Sequence, residues 1–256
     1  MSEGKLPKHA LVTGAAKRIG RAISLKLAGL GFDISIHCHR SRPDAEALAR
    51  EVEGLGVKAN VVSADLAQEG EVERLVPEAA KALGPLGVLV NNASVFERDD
   101  ALSTSREMWD FHMETNLRAP FVLTQAFARH LPEAAAGTVV NLIDQRVWNL
   151  TPHFTTYTLS KAGLWTLTRT LALALAPRIR VNAVGPGPAL PSIRQTQAEF
   201  DRQCQSMPLK CGTNPVEIAE AVAYLIAAPA VTGQMIALDG GQHLGWSPAP
   251  ATWIKE

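Results

Sequence analysis

The 256-residue sequence lacks an excess of either charge: Lys and Arg total 25, and Asp and Glu total 25. A basic footprint for nucleic acid and a polybasic membrane anchor are both missing, so neither partner is expected. No apolar run approaches the about 18 residues of a spanning helix. The opening MSEGKLPKHALVTG lacks the apolar core of a secretory leader. Cysteine is scarce and odd in number (Cys38, Cys204, Cys211), and no CxxC pair is present. A disulfide scaffold is not expected, and a reduced, cytoplasmic compartment is. Linkers, repeats and low-complexity segments are also missing. One domain over residues 1–256 is expected, long enough for a sizeable core.

What is present is alternation. Short apolar runs at 9–12, 33–37, 58–62, 87–90, 138–143, 179–184 and 234–238 read as strands, with helix-length stretches between them. In the first such stretch Ile19, Ile23, Leu27 and Leu30 recur on one helical face. Residues 106–130 read as one long helix that Pro120 kinks or breaks. Apolar strands alternating with helices predict a doubly wound, seven-stranded parallel sheet of Rossmann type with helices on both faces. Residues 186–212 are the least regular, and are expected to form a substrate loop.

The stretch ALVTGAAKRIGRAI is a strand, Gly14, and a helix opening near Arg18. Glycine permits a tight turn, and the helix N-terminus offers free N–H groups to a phosphate. Gly14 and Gly20 are wider apart than in GxGxxG, but the first strand-to-helix turn is where a dinucleotide binds. Lys17, Arg18 and Ile19 complete the turn. An NAD site puts an acid at the end of the second strand. Here His37, Cys38, His39, Arg40 and Ser41 occupy it, with no acid. Arg40, with His39 and Ser41, suits a 2′-phosphate, so NADP(H) is the expected cofactor. A solvated basic loop is the bland alternative. His37 and His39 lack further ligands, and no metal is expected.

An apolar strand ends on Asp144, thirteen residues before Tyr157, and Lys161 follows four later. Tyr157 and Lys161 share one helix face. An ammonium roughly 4 Å from the phenol, at an effective dielectric of ~20, is worth about 4 kcal/mol. That would lower the phenol by roughly 2–3 pKa units before burial opposes it. The bland reading of Asp144 is a loop acid that caps a turn.

Over essentially its whole length the chain resembles the short-chain dehydrogenase/reductase family. The resemblance is carried by TGAAKRIG, Asp65 in SADLA, NNAS, Asn116 in ETNLRAP, YTLSK, VNAVGPGP and TGQMIALDGG. It implies that Tyr157 transfers a proton and that Lys161 binds the nicotinamide ribose. Asn116 would hold a water relaying protons to Lys161. Asp65 and the adjacent Leu66 would lie at the adenine, Asn92 and Ala93 near the adenosine ribose, and Pro186–Gly187 at the nicotinamide. It also implies a homotetramer, with C-terminal segments carrying Trp246 and Trp253 at interfaces.

Two departures narrow the resemblance. The family's usual serine is Asp144 here, and its middle turn glycine is Arg18. Both are shared with the pteridine reductase branch, as are AAKRIGR, HCHRS and NNASVF. That branch implies that Phe96 stacks a pterin against the nicotinamide, and that Arg18 and Ser94 contact cofactor phosphate and the pterin's polar edge. Trp148 and Phe154 are pocket candidates, or else pack the loop. A carboxylate opposes a forming alkoxide, whereas C=N reduction needs a proton delivered to nitrogen. The expected function is NADPH-dependent reduction of a C=N bond in a dihydropterin or dihydrofolate, with Asp144, Tyr157, Lys161 and Asn116 as catalytic residues. The alternatives are an NADPH-dependent reductase of 3-oxoacyl thioesters and a non-catalytic NADP-binding protein.

Overall fold

The computed structural model describes residues 4–192 and 195–245; Trp246 and Trp253 lie outside the described residues. All seven expected strands form: β1 (His9–Val12), β2 (Asp33–Cys38), β3 (Ala59–Ser63), β4 (Val88–Asn91), β5 (Gly137–Leu142), β6 (Ile179–Pro186) and β7 (Met235–Leu238). They build one sheet in the order β3-β2-β1-β4-β5-β6-β7, and every pairing is parallel. The strands are apolar on both faces because both faces are covered. Ala10 and Val12 point into one layer, with α1 (Arg18–Gly29), α2 (Arg42–Glu53) and α8 (Pro215–Ala227). Leu11 and Leu89 point into the other, with α3 (Glu69–Leu83) and α5 (Ala119–His130). β6 runs two residues past the expected 184 because Gly185 and Pro186 still pair with Ala237 and Leu238 of β7.

One expectation is refined and one is corrected. The stretch expected as one helix is α4 (Arg106–Met113), a π-helical turn (Glu114–Arg118) and α5. Pro120 has no N–H for the carbonyl of Asn116 four residues earlier. The preceding amide, Ala119 N–H, reaches back five residues to the Glu114 carbonyl. The extra residue in the turn carries Asn116 inward, a placement common to π-bulges at functional sites. The segment expected as an irregular loop contains α7 (Gln197–Gln205). Thr196 and Glu199 form a reciprocal capping box there, which starts a helix with no buried residue of its own. The helix following β5 is α6 (Thr155–Ala174).

Leu89 is fully buried at the centre of the sheet. Leu89→Ala should cost about 2–5 kcal/mol, read as a lowered midpoint in urea unfolding.

Candidate active site

The strand order reverses between β1 and β4, so their C-terminal ends diverge and open a crevice. A cleft of about 520 Å³ sits there. On one side is the glycine turn. Gly14 has φ +60°, and a Cβ on Gly20 would stand 2.3 Å from the Gly14 carbonyl oxygen. Asn92 braces this turn, its Nδ2 donating to Thr13 O at 2.8 Å and to Gly14 O at 3.2 Å. The backbone N–H groups of Asn92 and Ala93 donate to Thr13 Oγ1. Arg18 occupies the left-handed region at φ 53°, a strain of about 1–2 kcal/mol that a glycine would avoid. Its guanidinium crosses the cleft to the Pro191 carbonyl.

A further brace was missed in the sequence, where His37 was weighed only as a metal ligand. Its imidazole is 2% exposed. Gly14 N–H donates to Nδ1 at 3.0 Å, so Nδ1 carries no proton, and Nε2–H donates to Ala64 O at 3.1 Å. Burial holds its pKa down at about 4. One neutral ring thus ties the glycine turn to the end of β3.

His39, Arg40 and Ser41 follow β2, and Asp65 and Leu66 follow the adjacent β3, beyond the lining of the main cleft. Asp65 accepts from Ala67 N–H and stands 3.9 Å from His39. Lys17 pairs with Asp44 at 2.9 Å, which reduces the free charge expected of it. Arg40 has no carboxylate partner among the described residues.

At the base of the cleft Tyr157 Oη donates to Asp144 Oδ2 at 2.9 Å. The other oxygen, Oδ1, accepts from Arg146 N–H at 2.8 Å and caps the 3₁₀ turn Gln145–Val147. The capping and catalytic readings of Asp144 therefore hold together, one oxygen each. Burial raises the Asp144 carboxyl above the ordinary aspartate range, against the opposing bond and charge of Arg146. The expected lowering of the phenol is overturned. Burial, then the charge and hydrogen bond of Asp144, push Tyr157 well above its usual value. Lys161 points its Nζ at the Leu142 carbonyl, 2.9 Å away and 5.8 Å from the tyrosine ring centre. Burial brings its pKa down to about 8, with Asp144 opposing.

Asn116 is fully buried, and its side-chain amide spans two segments. Oδ1 accepts from Val95 N–H and Ser94 Oγ; Nδ2 donates to Val95 O and Ser160 Oγ. The side chain thus fixes the strand-end loop against α6. Phe96, on that loop, lines the cleft and stacks on Phe154 (ring centres 4.5 Å, 10° apart) with its edge to Tyr157. Arg146, not singled out in the sequence, covers Phe154 at 4.9 Å. Trp148 is not brought to the cleft: it packs across Trp165 and His243 on an exposed side.

The start of α6 depends on Asp99, also missed. Phe154, the residue before the helix, has φ 62° and no capping side chain. Asp99 supplies the cap from outside, accepting from Thr156 N–H at 3.0 Å and from Thr156 Oγ1 at 2.6 Å. Burial opposes the charge, but the bonds from Thr156 and Thr104 hold the carboxyl below its usual range. Thr156 spends its proton on Asp99, so His112 Nδ1 donates to Thr156, and Nε2 accepts from Glu97 N–H. Spacing offers no signal for such a network, whose members come from three separate elements.

A family model described as short chain dehydrogenase matches residues 8–202. Two solved structures are similar over nearly the whole chain. FolM alternative dihydrofolate reductase 1 from Brucella suis, in complex with NADP, is 50% identical, covers 93% of this chain and 96% of its own, with a TM-score of 0.90. The Brucella canis protein of the same description, complexed with NADP, is 48% identical, covers 98% and 99%, with a TM-score of 0.92. Among curated proteins, 3-oxoacyl-[acyl-carrier-protein] reductase FabG of Staphylococcus epidermidis is 33% identical over 93% of this chain and 99% of its own length.

The His37 brace has a pH consequence. Its folded pKa lies below the unfolded 6.5, so its contribution is complete above pH 6.5 and is lost as pH falls towards about 4. Between pH 7 and 5 the wild type should lose about 2 kcal/mol more stability than His37→Gln, which keeps a donor and an acceptor without titrating. Urea unfolding at the two pH values measures it, and equal losses would contradict the assignment.

Proposed function

Because this chain belongs to the short-chain dehydrogenase family, we propose that it is an NADPH-dependent reductase of the C=N bond in a 7,8-dihydropterin, dihydrofolate included. The observation that carries this reading is the buried bond from Tyr157 to Asp144, with the carboxyl raised above its usual range. A carboxyl that keeps its proton to higher pH is an acid suited to protonating nitrogen.

The residues present fit the dinucleotide. Gly20 leaves no room for a Cβ beside the Gly14 carbonyl, so the helix packs close behind the turn, as the last glycine of a dinucleotide turn requires. The turn from Gly14 to Gly20 would hold the diphosphate, Arg40 with His39 and Ser41 the 2′-phosphate, Asp65 and Leu66 the adenine, and Lys161 the nicotinamide ribose. Pro186 and Gly187 border the nicotinamide end. When bound, NADPH supplies the hydride. The protein's share is orientation and one proton. Phe96 offers a flat face to a conjugated ring, and Arg18 and Ser94 face its polar edge. Asp144 gives its proton to the nitrogen of the C=N bond; the Tyr157 hydroxyl keeps its own proton and donates to the carboxylate left behind until solvent reprotonates it. The product gains one hydride at carbon and one proton at nitrogen.

The 33% identical relative named as a 3-oxoacyl reductase supports a second reading, reduction of a carbonyl. The residue at position 144 weighs against it: the serine hydroxyl that the family resemblance expects there is replaced by a carboxyl.

NADPH oxidation with dihydropterins, dihydrofolate and an acetoacetyl thioester separates the two. The expected result is turnover on the pterin ring, with kcat/KM for the thioester at least about tenfold lower. Asp144→Ser should cut pterin turnover by about 10²–10⁴-fold. Unchanged kcat/KM in that variant, or a preference for the thioester, would overturn the reading. Tight NADPH binding with no oxidation of any substrate would point to a non-catalytic protein.

A further inference from the structure

We propose that Arg146 selects substrates carrying a carboxylate beyond the reacting ring. The inference rests on the reductase reading above and specifies which pterins the site prefers.

Arg146 sits two residues past Asp144 and lines the cleft together with Asp144, Tyr157 and Phe96. Its side chain is held by contacts within the protein. The guanidinium lies 4.9 Å from the centre of the Phe154 ring and 5.9 Å from that of Phe96, and Nη1 donates to Thr151 Oγ1 at 2.7 Å. Much of the entropy that a long side chain loses on binding is therefore already lost.

The nearest acid named in the cleft, Asp144, feels the charge of Arg146 but forms no ion pair with it. Among the described residues no carboxylate stands within ion-pair distance of it. The oxygens of Asp144 are taken by the Arg146 backbone N–H and by Tyr157. Its Nε is buried without a hydrogen-bond partner. A partly buried charge left unpaired is costly, and the cost falls when a ligand brings the opposite charge.

The charge balance of the cleft places this surplus at the substrate end. Lys17, Arg18, Arg146 and Lys161 line it, against Asp144 as the one carboxylate among the described lining residues. Lys17 pairs with Asp44, and Arg18 belongs to the glycine turn, where a dinucleotide's phosphates would lie. Lys161 is committed to the Leu142 carbonyl at the base. Arg146 stands instead over the two phenylalanines. The facing segment contributes Ser192, Gln195, Phe200 and Gln203, none of them acidic. A guanidinium suits a carboxylate because its planar fork matches the two oxygens. Dihydrofolate carries such groups on its glutamate tail, and a dihydropterin with a hydroxylated side chain carries none.

The experiment compares kcat/KM for 7,8-dihydrofolate with that for 7,8-dihydrobiopterin, whose side chain is neutral. The wild type should prefer dihydrofolate, and added salt should shrink that preference. Arg146→Gln should reduce the ratio of the two kcat/KM values by about tenfold or more, mainly through KM for dihydrofolate. Arg146→Lys should restore part of it. A ratio unchanged in Arg146→Gln would overturn the proposal. So would an equal fall on both substrates with a displaced pH profile, which would assign Arg146 to tuning the proton on Asp144. Wild type inactive on both substrates would overturn the reductase reading itself, which separates that failure from the other two.

Discussion

The hydrogen bond between Tyr157 and Asp144 is the contact on which the rest of the site depends. It brings together a phenol and a carboxyl away from water: burial raises both groups' hold on their protons, Asp144 adds to the rise at Tyr157, and the tyrosine's bond partly offsets the rise at Asp144. Forming it requires two elements in register: the turn after β5, which presents Asp144, and the first turn of α6, which presents Tyr157. The 3₁₀ turn capped by the second oxygen of Asp144 fixes the first. Asp99 fixes the second by capping α6 from the loop beyond β4. The consequence is a site whose tyrosine is not a ready phenolate; on the proposed reading the proton for the substrate comes from the carboxyl.

The scaffold turns a sheet buried on both faces into a cleft at one end. Strand reversal between β1 and β4 opens the space, and two side chains from neighbouring strand ends, His37 and Asn92, hold the glycine turn at its edge. The π-turn before Pro120 performs the matching task on the other side. It carries Asn116 inward, where one amide joins the loop of Ser94 and Val95 to Ser160 on α6. Phe96 therefore rides on a loop tied to the helix that bears Tyr157 and Lys161.

Much of this was legible in the sequence because it depends on local pattern. Strands buried on both faces are apolar throughout, so all seven stood out, and Gly14, Tyr157 and Lys161 lie at spacings that have a mechanical reason. What stayed hidden depends on tertiary partners. Nothing near Asp99 in sequence says that it caps a helix more than fifty residues later. Arg146 reads as a loop cation until Phe96 and Phe154 are seen beneath it. Trp148 has the composition of a pocket residue but packs on Trp165 and His243. The direction of the tyrosine shift was misjudged because spacing shows Lys161 one turn away and does not show that its ammonium turns to the Leu142 carbonyl while Asp144 takes the phenol.

The central claim is that Asp144 keeps its proton to a higher pH than an ordinary aspartate, and carboxyl-labelled aspartate followed by carbon NMR across a pH titration tests it most directly. One resonance should titrate clearly above the ordinary value of about 3.9 and be missing from Asp144→Asn. If the resonance lost in that variant titrates at or below that value, Asp144 is an anion throughout the working range and the proton must come from elsewhere.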